Sequence, residues 1–505
     1  MIFYCATHHN YLSYTYSETR TKPQGVPLNY YICIMLFTLK HIITRYKVIA
    51  ITAFCCIILL LSKDIGFFWD NTLLCSKMGH YLYNNNLFSL NFPENFDPGH
   101  PPLMAFIYAV SWKILGKTLL TSHLLFSVFL FGFVWQLHNF VSYFTQNKIY
   151  QIVATAFVFC DPTILAQTFY IGQEIPQFFF FLLALNQLVK GKCFLKCIAL
   201  FFLSLCSVRG MMLCAGFFIF EMYYYAAIQK QFNNLFTKKN VMTYAIAASG
   251  AIAFLIWRRI TKGYLFMHEG SQWAELGQIA TFKTFIFNVI VTIHRFLDFG
   301  RAAIALFVIA FIFCYRNKLK QDVTFKLLLS LTIFSTCIIT IVSLAITNTI
   351  GHRYFAISFV FMHLLALYII NTFCTKKAVI TFMLTFCLVT GNLWQYPVKY
   401  AQGWDASLRC LPYFNLRNNA INYLNKSDIK IEEVATFFPN IYSNEEINLN
   451  NNNSCFAEYD STNKYIFLAN IYNLKPQQYQ QLYQNYTVVK RFENWRIWVE
   501  VLKKR

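Results

Sequence analysis

The chain has 505 residues, 57% of them hydrophobic and only 13% charged, with a formal net charge of +21 and a mean hydropathy of +0.42. Soluble domains run at about 45–50% apolar and about 25% charged. So few charges could not cover the surfaces of the several soluble domains that this length would hold. Composition therefore excludes an ordinary soluble enzyme.

Residues 1–34 are polar as far as Asn29, rich in Tyr and His, and lack the apolar core of a signal peptide. They read as a disordered tail, or as sequence upstream of a true start at Met35. From there, apolar segments separated by short polar joints recur at about 48–63, 119–141, 149–165, 175–189, 193–208, 210–228, 241–257, 300–315, 327–347, 355–372 and 378–394. These are the lengths of bilayer-spanning helices. The expected fold is an α-helical polytopic membrane domain over 35–395, with about eleven transmembrane helices, and a small soluble α/β domain over 396–505.

The cations alternate with the spans. With the N-terminus inside, every short inner loop carries Lys or Arg: Lys148; Lys190 and Lys192; Lys238 and Lys239; Arg316, Lys318 and Lys320; Lys376 and Lys377. The acids Asp64, Asp70, Glu94, Asp97, Glu174, Glu269 and Glu275 fall outside. Basic loops stay cytoplasmic during insertion, so the positive charge reports topology and no nucleic-acid partner is expected. Most of the 16 cysteines lie in spans, as Cys55, Cys206 and Cys337 do, where they pack as small apolar residues. Cys75, Cys410 and Cys455 are left outside, an odd number without framework or zinc spacing.

Two large polar interruptions face the outer side. The first, about 64–118, carries Asp70 and the run Asp97-Pro98-Gly99-His100-Pro101-Pro102. Its apolar piece 103–116 is too short to span and reads as a helix lying in the interface, with Trp112, Lys113 and Lys117 at headgroup level. The second, about 258–299, holds Arg258, Arg259, His268, Glu269, Trp273, Glu275, His294, Arg295 and Asp298. Shorter outer joints bring up Gln173 and Glu174, then Gly351-His352-Arg353-Tyr354. In the tail, Leu416, Ala420, Ile421 and Leu424 make one helical face. Val434–Phe438, Tyr465–Ala469, Thr487–Phe492 and Trp495–Leu502 read as strands, and Asn448–Asn453 as a flexible loop.

Carboxylates, histidines and arginines thus gather on one membrane face. A carboxylate at the apolar boundary can serve as a base, and arginines can hold a phosphate through two parallel hydrogen bonds. Interfacial anchors and solvated loop charges would leave the same pattern.

The spacing resembles that of family 39 glycosyltransferases of the GT-C superfamily, which include protein O-mannosyltransferases and bacterial aminoarabinose transferases. In that family an acid follows the first span, and about thirty residues later a Pro-Pro-Leu element opens an interfacial helix that ends in Leu-Gly or Phe-Gly. Here Asp70 is followed by His100-Pro101-Pro102-Leu103, with Leu115-Gly116 closing the helix. Asp161-Pro162 matches the proline-marked turn and leads to Glu174, in the second-loop position that the family usually fills with Asp, and Arg353-Tyr354 matches an Arg-Tyr pair opening a late span. The resemblance covers roughly 45–395. His100 and Gly99 stand where aminoarabinose transferases often have lysine and an acid, a departure from that subgroup.

The resemblance implies an inverting hexosyl or pentosyl transferase in the bacterial cytoplasmic membrane. Its donor would be a sugar on a polyprenyl phosphate, and its acceptor a lipid, glycan or protein on the outer face. Asp70 would be the general base. His100, Arg258, Arg259, Arg295 and Arg353, beside Tyr354, would meet the lipid phosphate, with Arg353 favoured by the motif. Glu174 would bind sugar hydroxyls, hold a divalent cation or orient the acceptor; capping its own helix is the plain alternative. Arg209 is either a headgroup anchor or a ligand, and Asp97 before Pro98 a turn-shaping acid. A transporter or an envelope-glycan polymerase or ligase is the competing class, but the chain has no internal repeat and few mid-span charges.

Overall fold

The computed structural model of the chain describes residues 46–266, 277–397, 400 and 402–505. Residues 1–34, Met35, Lys40 and Arg45, and the second-interruption residues His268, Glu269, Trp273 and Glu275, lie outside the described residues. Residues 54–505 form one compact unit; of residues 1–53, the described part is the start of helix α1, Tyr46–Ser62.

After α1 the chain turns sharply at Trp69, whose φ is +56°. It then runs through a π-helical turn, Thr72–Lys77, into α2, Met78–Asn84. Helix α3 is Leu103–Leu115, as the short apolar piece predicts, and α4 is Leu119–Val141, capped by the Thr118 side chain. The third expected span is broken. Helices α5, Lys148–Val158, and α6, Pro162–Phe169, meet at a bend of 78°. The cause is local: Pro162 disfavours a helical residue before it and offers no N–H. Asp161 instead caps the new helix, accepting from the Thr163 and Ile164 N–H groups at 2.8 and 3.1 Å.

Helices α7, Glu174–Val189, and α8, Cys193–Cys206, follow. Helix α9 is Val208–Tyr223, extended by a π-turn to Ile228, and α10 is Lys238–Lys262. Helix α11, Phe282–Leu297, lies in the second interruption, where no helix was expected at these residues. It exposes Phe282, Phe287, Ile290 and Ile293 while burying Asn288, Thr292 and Arg295, the two-faced pattern of an interfacial helix. Helices α12, Arg301–Leu319, and α13, Val323–Ala345, precede a 3₁₀ turn, His352–Phe355, that opens α14, Ala356–Phe373. Helix α14 is buried on nearly every side, as a helix apolar all round should be. Helix α15 is Lys377–Thr390.

All eleven expected segments lie in helices, the third of them broken at its bend. Six helices are long and apolar enough to cross a membrane, or seven if the bent pair counts as one. The four at Tyr46–Ser62, Glu174–Val189, Cys193–Cys206 and Lys377–Leu393 belong to the 10–17-residue class.

The C-terminal part carries α16, Pro412–Lys426, which buries Leu416, Ala420, Ile421 and Leu424 as expected. Five strands follow: β1 Val434–Thr436, β2 Ala457–Glu458, β3 Tyr465–Ala469, β4 Tyr486–Asn494 and β5 Ile497–Lys504, in sheet order β2-β1-β3-β5-β4. Strand β1 runs parallel to β2 and β3, while β5 is antiparallel to β3 and β4. Trp495 sits in the β4–β5 turn at φ +57°, exposed, rather than in the strand. Between β1 and β2 lies a short helix, α17, Asn444–Asn448; α18, Pro476–Asn485, precedes β4. The Asn-rich stretch is pinned rather than loose: Leu449 is buried, and Glu445 accepts from the Asn451 N–H.

Candidate active site

The turn at Trp69 aims Asp70. Phe68 packs 5.4 Å from the Phe414 ring and Trp69 5.3 Å from that of Phe438, both in the C-terminal part. The Phe67 N–H donates to the Ile447 carbonyl at 2.9 Å. A Cβ on Gly66 would lie 2.6 Å from that same oxygen, so glycine is what allows the approach. The tail thus grips the backbone immediately before Asp70.

Asp70 reaches Arg353, whose Nη2 donates to Asp70 Oδ2. Arg353 stands on the 3₁₀ turn that opens α14 and is the hub of the site. Its Nη1 is 3.6 Å from Glu174 Oε1, and its Nε is 2.9 Å from Asp405 Oδ2. The Asp405 contact lies in ion-pair range, yet Nε has no aligned hydrogen-bond acceptor. Glu174 Oε1 also accepts from Arg209 Nη2 at 2.8 Å, and the Arg209 guanidinium stacks 4.4 Å from the Tyr354 ring. Three carboxylates therefore surround two guanidinium groups. Asp70 is the most open, with 22% of its side chain exposed against 3% for Glu174 and 17% for Asp405. Burial, together with Asp70 and Glu174, raises the Asp405 carboxyl above its ordinary range against the pull of Arg353.

Of the expected residues, Asp70, Glu174, Arg353 and Tyr354 come together. Glu174 does not cap its helix through its side chain; its Oε1 belongs to the arginines. Arg209, left open between anchor and ligand, joins the cluster. His100 sits close by but is no cation: burial first, then Arg209, Arg258 and Arg353, push its pKa down to about 3. Its Nδ1 accepts from the Val208 N–H at 3.4 Å.

Arg258, Arg259 and Arg295 spend their donors elsewhere. Arg258 grips both oxygens of Asp97 at 2.7 and 2.8 Å and the carbonyls of Leu265 and Phe266, so Asp97 is a buried ion-pair partner and not merely a turn former. Arg259 is exposed and closes the end of α10 on the Gly263 carbonyl. Arg295 donates to the Ile350 carbonyl at 2.8 Å and lies 3.4 Å from His352 Nε2.

Asp405 was missing from the expectation because Gly403-Trp404-Asp405 lies beyond the last span, in sequence that reads as a connector. The one local signal is Gly403, at φ +61° with His352 Nδ1 2.9 Å from where its Cβ would be.

A divalent cation does not fit beside Glu174. The Arg353 guanidinium already stands among Asp70, Glu174 and Asp405 where a cation would be held, and Arg209 takes Glu174 Oε1. Among the described residues, His294, Asp298 and His352 are the one group with ligand atoms within 4.8 Å of one another. There Asp298 already accepts from Tyr396 and the Phe299 N–H and bonds His352 at 2.6 Å, with Arg295 alongside. That donor set makes a hydrogen-bond network rather than a metal centre.

No protein-family model matches the chain, and no curated protein matches it. Among solved structures the chain is similar to ArnT from Cupriavidus metallidurans, in a crystal structure bound to undecaprenyl phosphate. The two are 9% identical with a TM-score of 0.49, and the match covers 90% of this chain and 97% of that one.

Proposed function

We propose that the chain is an inverting glycosyltransferase that moves a sugar from a polyprenyl-phosphate-type donor to a lipid, glycan or protein acceptor on the outer face of the membrane. The observation that carries this reading is Arg353, a buried guanidinium shared by two half-buried carboxylates, Asp70 and Asp405, and a buried one, Glu174, beside a second guanidinium, Arg209. It stands on the turn that opens α14, a helix buried on nearly every side. Asp70, Glu174 and Arg353-Tyr354 are among the positions on which the family 39 resemblance rests.

In this reading the donor's phosphate competes with the carboxylates for Arg353 and Arg209. A guanidinium is suited to that exchange because it binds carboxylate and phosphate in the same forked geometry. Asp70, released from Arg353, takes the proton of an acceptor hydroxyl as that oxygen attacks the anomeric carbon. The bond to the phosphate oxygen breaks in the same displacement, so configuration inverts. Negative charge grows on the leaving phosphate, where pre-placed guanidinium groups lower the barrier most. Glu174 orients Arg209 and Arg353, and neutral His100 accepts a backbone N–H at the edge of the site.

The test is to incubate the purified protein with a panel of polyprenyl-phosphate sugars and follow released lipid phosphate. Release with at least one donor, lost in Arg353→Ala, supports the reading. Binding or transport of donors with no release would give the chain to the competing transporter class.

A further inference from the structure

We infer that Asp405 is a positioning residue for Arg353, so that the segment beyond the last apolar helix is a working part of the active site rather than its cover. The kinetic part of this inference rests on the glycosyltransferase reading; the geometric part does not.

The segment is built in. Gln167 Nε2 donates to the Asp405 carbonyl at 2.6 Å, Thr163 Oγ1 to that of Ala406 at 3.2 Å, and the Tyr170 hydroxyl to that of Ser407 at 3.2 Å. These donors all come from α6 and the residue after it, so one element carries one turn of the connector. Trp404 and Ala406, on either side of Asp405, are both buried. A backbone held at three successive carbonyls fixes where the Asp405 carboxylate points, and it points at the Nε edge of Arg353. The edge carrying Nη1 and Nη2 is thereby left to Glu174 and Asp70.

The charges give the role a distinctive signature. Three carboxylates beside two guanidinium groups leave one surplus negative charge where an anionic phosphate must bind. Removing the Asp405 charge therefore has two opposite effects. The phosphate meets less repulsion and binds more tightly, while Arg353 loses the contact that orients it and stabilises the leaving phosphate less well. A residue that merely held the fold would weaken both together. Burial first, then Asp70 and Glu174, raise the Asp405 carboxyl against the pull of Arg353.

The experiment compares wild type, Asp405→Asn and Asp405→Glu as full chains in detergent. In Asp405→Asn the donor KM should fall severalfold while kcat falls by about 10²-fold, the scale of a misplacement of about 1 Å. In Asp405→Glu, which keeps the charge but moves it by one methylene, KM should stay near wild type and kcat should drop. Phenylglyoxal labelling of Arg353, read by mass spectrometry, gives an answer that needs no turnover: labelling should be slow in wild type and faster in Asp405→Asn. Unchanged labelling of Arg353, an unchanged kcat in either variant, or a KM that rises with kcat intact would overturn the inference. If wild type transfers no sugar at all, the function fails while the labelling still decides the contact.

Discussion

Replacing Asp161 by Asn removes one charge from the most deeply buried ion pair in the described structure while disturbing little else. Arg301 Nε donates to Asp161 Oδ2 at 2.6 Å and Nη2 to Oδ1 at 2.9 Å, with both side chains wholly buried. Arg301 also reaches Thr163 and the carbonyls of Arg295 and Asp298, and lies 3.9 Å from the Phe359 ring. Removing one partner of a buried pair costs about 3–5 kcal/mol, because the other charge is left uncompensated. Asparagine caps a helix about as well as aspartate, so the bend before α6 should survive, and the Phe359 ring and carbonyls retain part of the guanidinium's stabilisation. The expected loss is therefore near the lower end, about 3 kcal/mol, or roughly a hundredfold in the folded-to-unfolded ratio. Thermal unfolding in detergent, followed as the thiol labelling of buried Cys75, Cys206 and Cys410 above that of exposed Cys56, Cys314 and Cys337, reads it. The double variant Asp161→Leu with Arg301→Met should recover most of the stability, as apolar replacement of both partners often does. A loss below about 1 kcal/mol in Asp161→Asn, the value of an exposed pair, would refute the reasoning.

Asp97→Asn should destabilise the protein by a comparable amount in the same assay, because it strands buried Arg258, while the kcat of the folded fraction stays within a few-fold of wild type; a large kcat loss with normal stability would contradict that division. His100 gives a pH signature. Its folded pKa of about 3 lies below the ordinary 6.5, so its contribution to stability is complete above about pH 6.5 and is lost as pH falls toward 3. His100→Asn, which keeps an acceptor for the Val208 N–H, should flatten that part of the unfolding profile, and a profile as steep as wild type would rule His100 out. A cytoplasm-dependent reporter fused after Arg505 should be silent if the proposed topology holds, and activity there would move the site to the inner face.

Local signals carried much of the architecture. Apolar length placed the helices, and the alternation of Ile497, Val499 and Val501 placed the last strand face. Asp161-Pro162 was legible as a turn but not as a 78° break, since a proline early in a helix is tolerated and only its pairing with a capping aspartate ends the preceding helix. Helix α11 was hidden because Asn288, His294 and Arg295 interrupt its apolar run, and only packing reveals that two of the three face inward. At the candidate site, spacing singled out Asp70, Glu174 and Arg353, which the structure brings together. Charge alone could not separate Arg353 from Arg258 or Arg295; the Arg-Tyr pair favoured Arg353, and the structure shows how differently their donors are engaged. Asp405 was invisible for the same reason: its partner lies 52 residues away, across a connector whose contacts are made through its backbone.

In the proposed reaction Asp70 is the base. Asparagine matches its shape but offers no carboxylate lone pair to a hydroxyl proton, and general base catalysis is worth about 10²–10⁴-fold. With the lipid donor that wild type turns over, Asp70→Asn should lower kcat by at least that order without weakening donor binding, because the carboxylate competes with the phosphate for Arg353 rather than assisting it. Full turnover in a folded Asp70→Asn protein would contradict the account and leave Asp70 a structural partner of Arg353.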